Sequence, residues 1–567
     1  MAFVDGSMKD RGQGRECVIK LELKKHNTRK YPDKKYSLRP SGTEIVLQNE
    51  VAPEAFKLMG TFSPKHKSRK RQAIDALRFT QHAAAHLPPQ TRKIPTRATR
   101  EPTVDRIRAT LQYGLAGIFA VGLAAAAYYE GAHLYIEHVS MISETDPVAK
   151  KWEWEVINND WTGDPTRGGT DPSLGYRARH ILHAAWAAYA EETPDAALIV
   201  EEPSSGDDQI EVIHVVDARL QQTEHHLRNT ILLAEEKLAK KKLDNFSFVV
   251  LLMRHAGVSE QIGVGRFLLV AKEDYERAWQ YCSVPYHQQF IAWKLGDLNH
   301  RLGHNDDALV WWDKSLQLAQ QYSGDSSTSG FKVPRSPLAQ RILSSVLVSK
   351  SAHLAATGNF TEAQALEESA LEFIRSIPVP DTVTSASPPQ ALHALYLLQR
   401  SSLLSIHLAE VLRARGRPVI SSIQWLALAA ESSGRVACVL TGCQIQPSSI
   451  FDSEIAFPHP QDNQLLPVYT TSRSMNSPAS ALLRDARRTA AEAWNMMGIL
   501  HEDNEGPKSP SALDCYDRAI SWAGTVKPNG SGLRAADDIL DSDWNIYWGN
   551  YQRVKEVRDK SSQKNGK

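Results

Sequence analysis

Two stretches far apart in the chain set the same residue types at the same spacings. Residues 289–322 read QFIAWKLGDLNHRLGHNDDALVWWDKSLQLAQQY. They place Leu295 beside Gly296, Gly303 at a turn, Ala308 at a small site and Trp312 four residues later. Residues 491–526 read AEAWNMMGILHEDNEGPKSPSALDCYDRAISWAGTV. They place Trp494, Met497 and Gly498, then Ala512 with Tyr516 four residues later, then Ala519. The small sites let two helices approach closely, and the large ones fill the space between successive hairpins. The pattern therefore confines the chain to stacked helical hairpins.

The spacing resembles the tetratricopeptide repeat, a helical hairpin of about 34 residues with Leu-Gly, turn-Gly and Ala-x3-aromatic sites. The first copy departs from it twice: Ala292 holds the first aromatic site, with Trp293 beside it, and Asn299 holds the Tyr site. The second must loop out two extra residues in the polar run around Asn504 to Pro510. Two weaker copies lie between them. Residues 344–377 keep Gly358, Ala363 and Ala370, but Glu367 stands where an aromatic belongs. Residues 402–435 keep Ala409, Gly416 and Trp425. Long helical patterns over 218–280 read as degenerate hairpins. The expected fold is all-α, with tetratricopeptide-like hairpin repeats over residues 218–550 and long loop insertions. A connecting region, 131–217, precedes them and a charged tail, 551–567, follows. Segments 323–337, 378–390 and 444–480 are rich in Ser and Pro and are expected to run over the surface.

Leu111 to Tyr129, LQYGLAGIFAVGLAAAAYY, contains no charged residue. As a helix it spans about 28 Å at ~1.5 Å per residue, close to a bilayer's hydrocarbon thickness. Arg106 and Arg108 precede it and Glu130 follows; Tyr113, Tyr128 and Tyr129 stand at its ends. Ala116, Ala120 and Ala124 form a small-residue stripe. Residues 106–130 therefore read as a transmembrane helix, and the alternative is an Ala-rich core helix of a soluble scaffold.

The formal net charge of +1 hides an asymmetry. Residues 1–100 hold 22 Lys and Arg against 9 Asp and Glu, and the remainder holds 44 against 56. By the positive-inside rule the N-terminal arm, 1–105, stays on the side of origin and residues 131–567 lie across the membrane. Residues 62–100 have Asp75 as their one acidic residue and set Ala76, Phe79, Ala83 and Leu87 on one helical face. This pattern is similar to a mitochondrial targeting sequence, either internal or following a start nearer Met59. A patch for nucleic acid or acidic lipid is the competing reading.

No catalytic or metal constellation stands out. Cys17, Cys282, Cys438, Cys443 and Cys515 include no CxxC pair. HExxH, GxSxG and Walker patterns are absent. Gly263-Val-Gly265 lacks a third glycine and suits a helix-joining turn. His225 and His226 are adjacent and diverge on a helix, and Glu201 and Glu202 suit a solvated loop. No enzyme activity, cofactor or nucleic acid is expected. A repeat scaffold instead presents a groove from the first helix of each hairpin, which nominates Trp293, Asp297, His300 and Arg301, then Asn495, Ile499 and Glu502. These residues lack the Lys, Arg and Asn pattern that clamps chaperone tails.

The order of parts resembles the adaptor subunit of the mitochondrial inner-membrane i-AAA protease: a basic arm, one membrane helix and a tetratricopeptide body. The resemblance covers residues 62–567 in architecture, with motif support at Leu295, Gly296, Gly303, Ala308, Trp312, Trp494, Gly498, Ala512 and Tyr516. It implies a body in the intermembrane space that recruits unfolded substrates to a neighbouring ATP-dependent protease. The alternatives are an assembly or maintenance factor for an inner-membrane respiratory complex, and a soluble tetratricopeptide scaffold.

Overall fold

The computed structural model describes residues 102–155, 161, 168–190, 197–202, 212–321, 331–378, 380, 386–443, 464–526, 533–535 and 541–565. The targeting-like stretch 62–100 lies outside them, as do residues 323–330, 381–385 and 444–463 of the Ser/Pro-rich segments. The architecture is all-α, built of helical hairpins that follow one apolar helix, with two short two-stranded hairpins added.

Helix α1, Pro102–Tyr135, opens on a proline, whose fixed φ suits a first helical turn. It ends in a π-helical turn, Ile136–Ser140. Residues 111–127 are exposed throughout, with Ile118 at 71% and Phe119 at 72%. The helix is long and apolar enough to cross a membrane, and its apolar window is not buried by the body. The helix is not a core helix of the described body, because a core helix hides its apolar face inside its own fold.

The chain then turns through α2, Pro147–Lys151, into α3, Gly175–Ala190. Strands β1, Ala197–Glu202, and β2, Val212–Asp217, pair antiparallel, so Glu201 and Glu202 lie in a strand rather than a loop. Hairpin helices follow: α4, Ala218–Ala239; α5, Asn245–Ile262; α6, Gly265–Tyr281; α7, Pro285–Arg301; α8, Asn305–Gln321; α9, Pro337–Ala356; α10, Phe360–Ser376; α11, Pro388–Ala414; α12, Val419–Thr441. A short α13, Pro467–Thr470, leads into α14, Asn476–Glu505, and α15, Pro510–Ala523. Strands β3, Gly524–Val526, and β4, Leu533–Ala535, pair before α16, Asp541–Asn565.

Local chemistry sets the helix ends. Asp217, Asp244, Ser336 and Ser509 cap α4, α5, α9 and α15, each accepting from a backbone N–H in the first turn. Gly303, Gly358 and Gly416 end α7, α9 and α11 at φ of +80°, +82° and +71°. At each, the glycine and the next residue donate back to the last helical turn in the Schellman pattern: Gly303 N–H to the His300 carbonyl and His304 N–H to the Asn299 carbonyl, at 3.0 and 2.8 Å. Gly263 ends α5 in the left-handed region and Gly265 opens α6, the helix-joining turn read from the sequence.

The repeat sites pack as their sizes demand. A Cβ on Gly296 would land on the Trp312 indole, and one on Gly498 would come within 2.5 Å of the Tyr516 ring. Leu295, Ala308, Trp312, Ala363, Ala512 and Tyr516 are fully buried.

Three segments are more ordered into the body than their composition suggests. Within 131–217, expected as a connection, α3 buries Leu182, Ala185 and Trp186 in the main core, and Trp154 donates Nε1–H to the Pro389 carbonyl at 2.9 Å. In 464–480, expected as a surface loop, Tyr469, Met475 and Ala479 are buried beside α12. Within 551–567, expected as a charged tail, Val554 of α16 packs on Ala512 and Tyr516. In each case a few large apolar side chains outweigh a polar average.

Candidate functional site at the membrane-proximal end

Of the positions nominated for a partner groove, Trp293, Asp297 and Asn495 are buried, and His300, Arg301, Ile499 and Glu502 are partly buried. Trp293 is 5% exposed, and Lys294 Nζ lies 5.2 Å from its ring centroid. Asp297 accepts the Trp312 Nε1–H at 2.9 Å, and burial pushes its carboxyl up to about 7. His300 Nδ1 stands 3.2 Å from Asn305 Oδ1 and 3.3 Å from His353 Nδ1, linking two hairpins. Arg301 is half-buried, and burial lowers its pKa against the pull of Glu260 and Asp297. Asn495 is buried and accepts from Asn550 at 3.0 Å; Ile499 packs in a cluster with Ala512 and Tyr516. Glu502 accepts from the Tyr516 hydroxyl at 3.0 Å and pairs with Arg553.

The cause is the burial of the first helices on every side. In α7, residues 289–299 are buried without a break, and in α5 residues 247–260 are. The second helices α6, α8 and α10 are amphipathic and carry the exposed faces. Some of the buried ionisable groups are paired: Lys294 and Glu260, both fully buried, meet at 2.7 Å. His255 lies 3.1 Å from Glu224 and 2.5 Å from Asp274. Burial opposes its charge, but these two carboxylates outweigh burial and hold the imidazolium up to about 9.

The less expected constellation lies where α1 meets the body. Glu130, His133 and Glu137 occupy one face of the helix after the uncharged run, at i, i+3 and i+7. Glu130 accepts from the Tyr176 hydroxyl and lies 3.3 Å from His180 Nε2. His133 Nδ1 and His183 Nδ1 are 3.0 Å apart. Glu137 is buried in the π turn and accepts from Thr170 N–H at 2.9 Å, Thr170 Oγ1 at 2.7 Å, His183 Nε2 at 2.5 Å and Arg179 Nη2 at 3.0 Å. Two donors from α3, His183 and Arg179, and two from Thr170 meet on this one carboxylate, so the turn after α1 is tied to the body as an elbow. The charged face after the uncharged run was the available sequence signal; its partners on α3 were not.

Beyond the elbow the chain borders an open cleft of about 470 Å³. Ile142, Glu144 and Val148 form one wall, Ser387 to Pro389 at the start of α11 another, and Val468, Ser472 and Arg473 a third. Ile142, Val148 and Val468 are exposed at 41%, 38% and 43%. Glu144 is pinned by N–H donors from Thr145, Asp146 and Ser474 at 2.9, 3.1 and 3.2 Å. Arg473 Nη1 donates to the Val139 carbonyl at 3.4 Å; burial lowers its pKa while Glu144 and Glu155 oppose that. The cleft is lined by apolar side chains, a fixed carboxylate and a guanidinium. Among the described residues no group of three or more His, Cys, Asp or Glu side chains is placed to hold a metal ion. No protein-family model matches the chain, and no curated protein matches it.

Proposed function

We propose that this protein is a single-pass, membrane-anchored helical scaffold that holds a polypeptide partner near the bilayer and performs no chemistry itself. The observation that carries this reading is α1: an exposed apolar helix that continues into an elbow bonded to the body. The cleft's first lining residue, Ile142, is thirteen residues past Tyr129, within about 20 Å of it at ~1.5 Å per residue. A partner seated there would be held close to the membrane surface. Alkaline carbonate extraction tests the anchor: the chain stays in the pellet, and release into the supernatant sinks the reading. The cleft is tested by Val148→Arg with Val468→Arg, which is expected to abolish partner co-purification while leaving the melting temperature unchanged.

The finer reading is an adaptor that recruits unfolded substrates to an ATP-dependent protease of the mitochondrial inner membrane, with the body in the intermembrane space. It is favoured by the acid-poor basic stretch 62–100 before the membrane helix. Protease protection with tags at both ends tests it. The C-terminal tag is cleaved only after outer-membrane rupture, and cleavage in intact organelles refutes the placement. Co-purification with a respiratory complex and no protease would favour an assembly factor instead.

A further inference from the structure

The membrane anchor fixes which end of the body faces the bilayer. Glu130 of α1 accepts from Tyr176 in the first turn of α3, and His133 meets His183 further along that helix. The start of α3 therefore lies beside Glu130, at the end of the uncharged run. A Cβ at Gly175, the first residue of α3, would lie 3.4 Å from Lys237 Nζ, so α4 ends where α3 begins. Tyr189, near the far end of α3, bonds Gln261 at the far end of α5, so α5 runs away from the bilayer. The α4–α5 turn is thereby placed beside the emergence of α1.

That turn reads Lys237-Leu-Ala-Lys240-Lys241-Lys242. Lys240, Lys241, Lys242 and nearby Arg177 are exposed and Lys237 is half-buried. Of the neighbouring carboxylates, one is paired outside the turn and one with the turn's own Lys240. Glu235 pairs with Arg277, and Glu236 lies 3.8 Å from Lys240. Asp171 and Asp244 accept backbone N–H groups at helix starts, and Asp171 also accepts from Ser247. Tyr129 and Tyr176, both exposed, stand at the same level, as interfacial aromatics do. The turn also repeats the two-bond pattern of Gly303, Gly358 and Gly416, with Lys241 N–H to the Leu238 carbonyl and Lys242 N–H to the Lys237 carbonyl. Yet the left-handed position, φ +53°, is held by Lys241 instead of glycine. A lysine accepts a strained conformation there, and in return its ammonium is carried at the tip of the turn.

We propose that the Lys237–Lys242 turn docks on the anionic headgroups of the leaflet from which α1 emerges, giving the body a second attachment and a fixed tilt. The proposal rests on α1 crossing the membrane. Charge complementarity with an acidic leaflet selects lipid as the occupant, and the membrane lies beside the turn wherever α1 is inserted.

The test is lysine acylation read by mass spectrometry on the full chain in nanodiscs of phosphatidylcholine, with or without phosphatidylglycerol. Lys237, Lys240, Lys241 and Lys242 are expected to react about fivefold more slowly in the anionic discs. Lys555 and Lys560 of α16 are expected to react equally in both. The variant Lys240→Glu/Lys241→Glu/Lys242→Glu should enter discs normally and lose the difference at Lys237. Equal rates at the turn in both discs, with the chain inserted, overturn the docking proposal alone. Failure to enter discs of either composition overturns the anchor and the docking together.

Discussion

Hairpins α7–α8 and α9–α10 share a plan and part company at one interior contact, made by two positions. Seven residues before the turn glycine, α7 has Gly296 and α9 has Ser351. Four residues after the small alanine, α8 has Trp312 and α10 has Glu367. Trp312 fills the space above Gly296 and gives its N–H to Asp297. Glu367 is equally buried, yet neither of its oxygens has a hydrogen-bond partner among the described residues. Burial first, then Glu410 and Glu368, push its carboxyl up to about 9. The pair α14–α15 follows the first hairpin, with Gly498 beneath Tyr516 and the hydroxyl on Glu502. The glycine–aromatic contact is thus a strong lock that the stack uses twice, while α9–α10 holds together without it.

The largest expected effect comes from breaking that lock. Gly296→Val forces methyl groups into the Trp312 indole and is expected to cost about 3 kcal/mol or more, since overpacking a tight core costs roughly 1–3 kcal/mol and β-branching adds to it. Gly498→Val should behave alike against Tyr516. Urea unfolding of the detergent-solubilised chain, followed by far-ultraviolet circular dichroism, measures both. A loss under about 1 kcal/mol in either would mean that the two helices part freely and that the small sites do not set their separation.

The opposite sign is expected at the other hairpin. Glu367→Leu removes a buried, unpartnered acid and supplies apolar volume in its place. It should stabilise by about 1–3 kcal/mol, the cost of an unsatisfied buried polar group. By contrast, Lys294→Met leaves the fully buried Glu260 without its partner and should destabilise by about 3–5 kcal/mol. Opposite signs at two buried charged sites would show that pairing, rather than burial alone, decides the outcome.

Glu367 also gives a pH signature. Its carboxyl holds a proton more tightly folded than unfolded. Stability is therefore unaffected below the ordinary range near 4.5 and falls as pH rises from there towards about 9. Glu367→Gln should remove that part of the slope and raise the melting temperature at pH 8 more than at pH 5. Glu492, pushed up to about 8, and Asp297, to about 7, leave a shallower slope of the same sign. An unchanged slope in the variant would show that Glu367 is ionised and solvated in the folded chain.

The contrast explains how much was legible in the sequence. Gly296, Trp312, Gly498 and Tyr516 announced themselves because a size match at fixed spacing has one packing solution. The exposed α1 was legible for a similar reason, being uncharged across a bilayer's length. The groove was not. Trp293, Asp297 and Asn495 sit on first helices whose buried faces carry polar residues such as Gln289, Lys294 and Glu492, so composition did not mark them as interior. The elbow and the cleft join residues such as Glu137 and His183, or Ile142 and Val468, that are distant in sequence. Their pairing depends on how the hairpins stack, and no local pattern encodes that.

The smallest effect separates the turns from the interiors. Gly303 and Gly358 both take left-handed backbone at nearly the same φ and close the same two Schellman bonds, and a Cβ at either would meet open space. Alanine at either position therefore brings only the conformational cost, about 1 kcal/mol. Equal losses for Gly303→Ala and Gly358→Ala in thermal melts would confine the difference between the hairpins to Trp312 and Glu367. A larger loss at Gly303 would mean that the lock at Gly296 strains its own turn, coupling the end of α7 to its middle. Combining Gly303→Ala with Gly296→Ala resolves the two cases: additive losses assign the sites to independent contacts, and a shortfall assigns them to one cooperative unit.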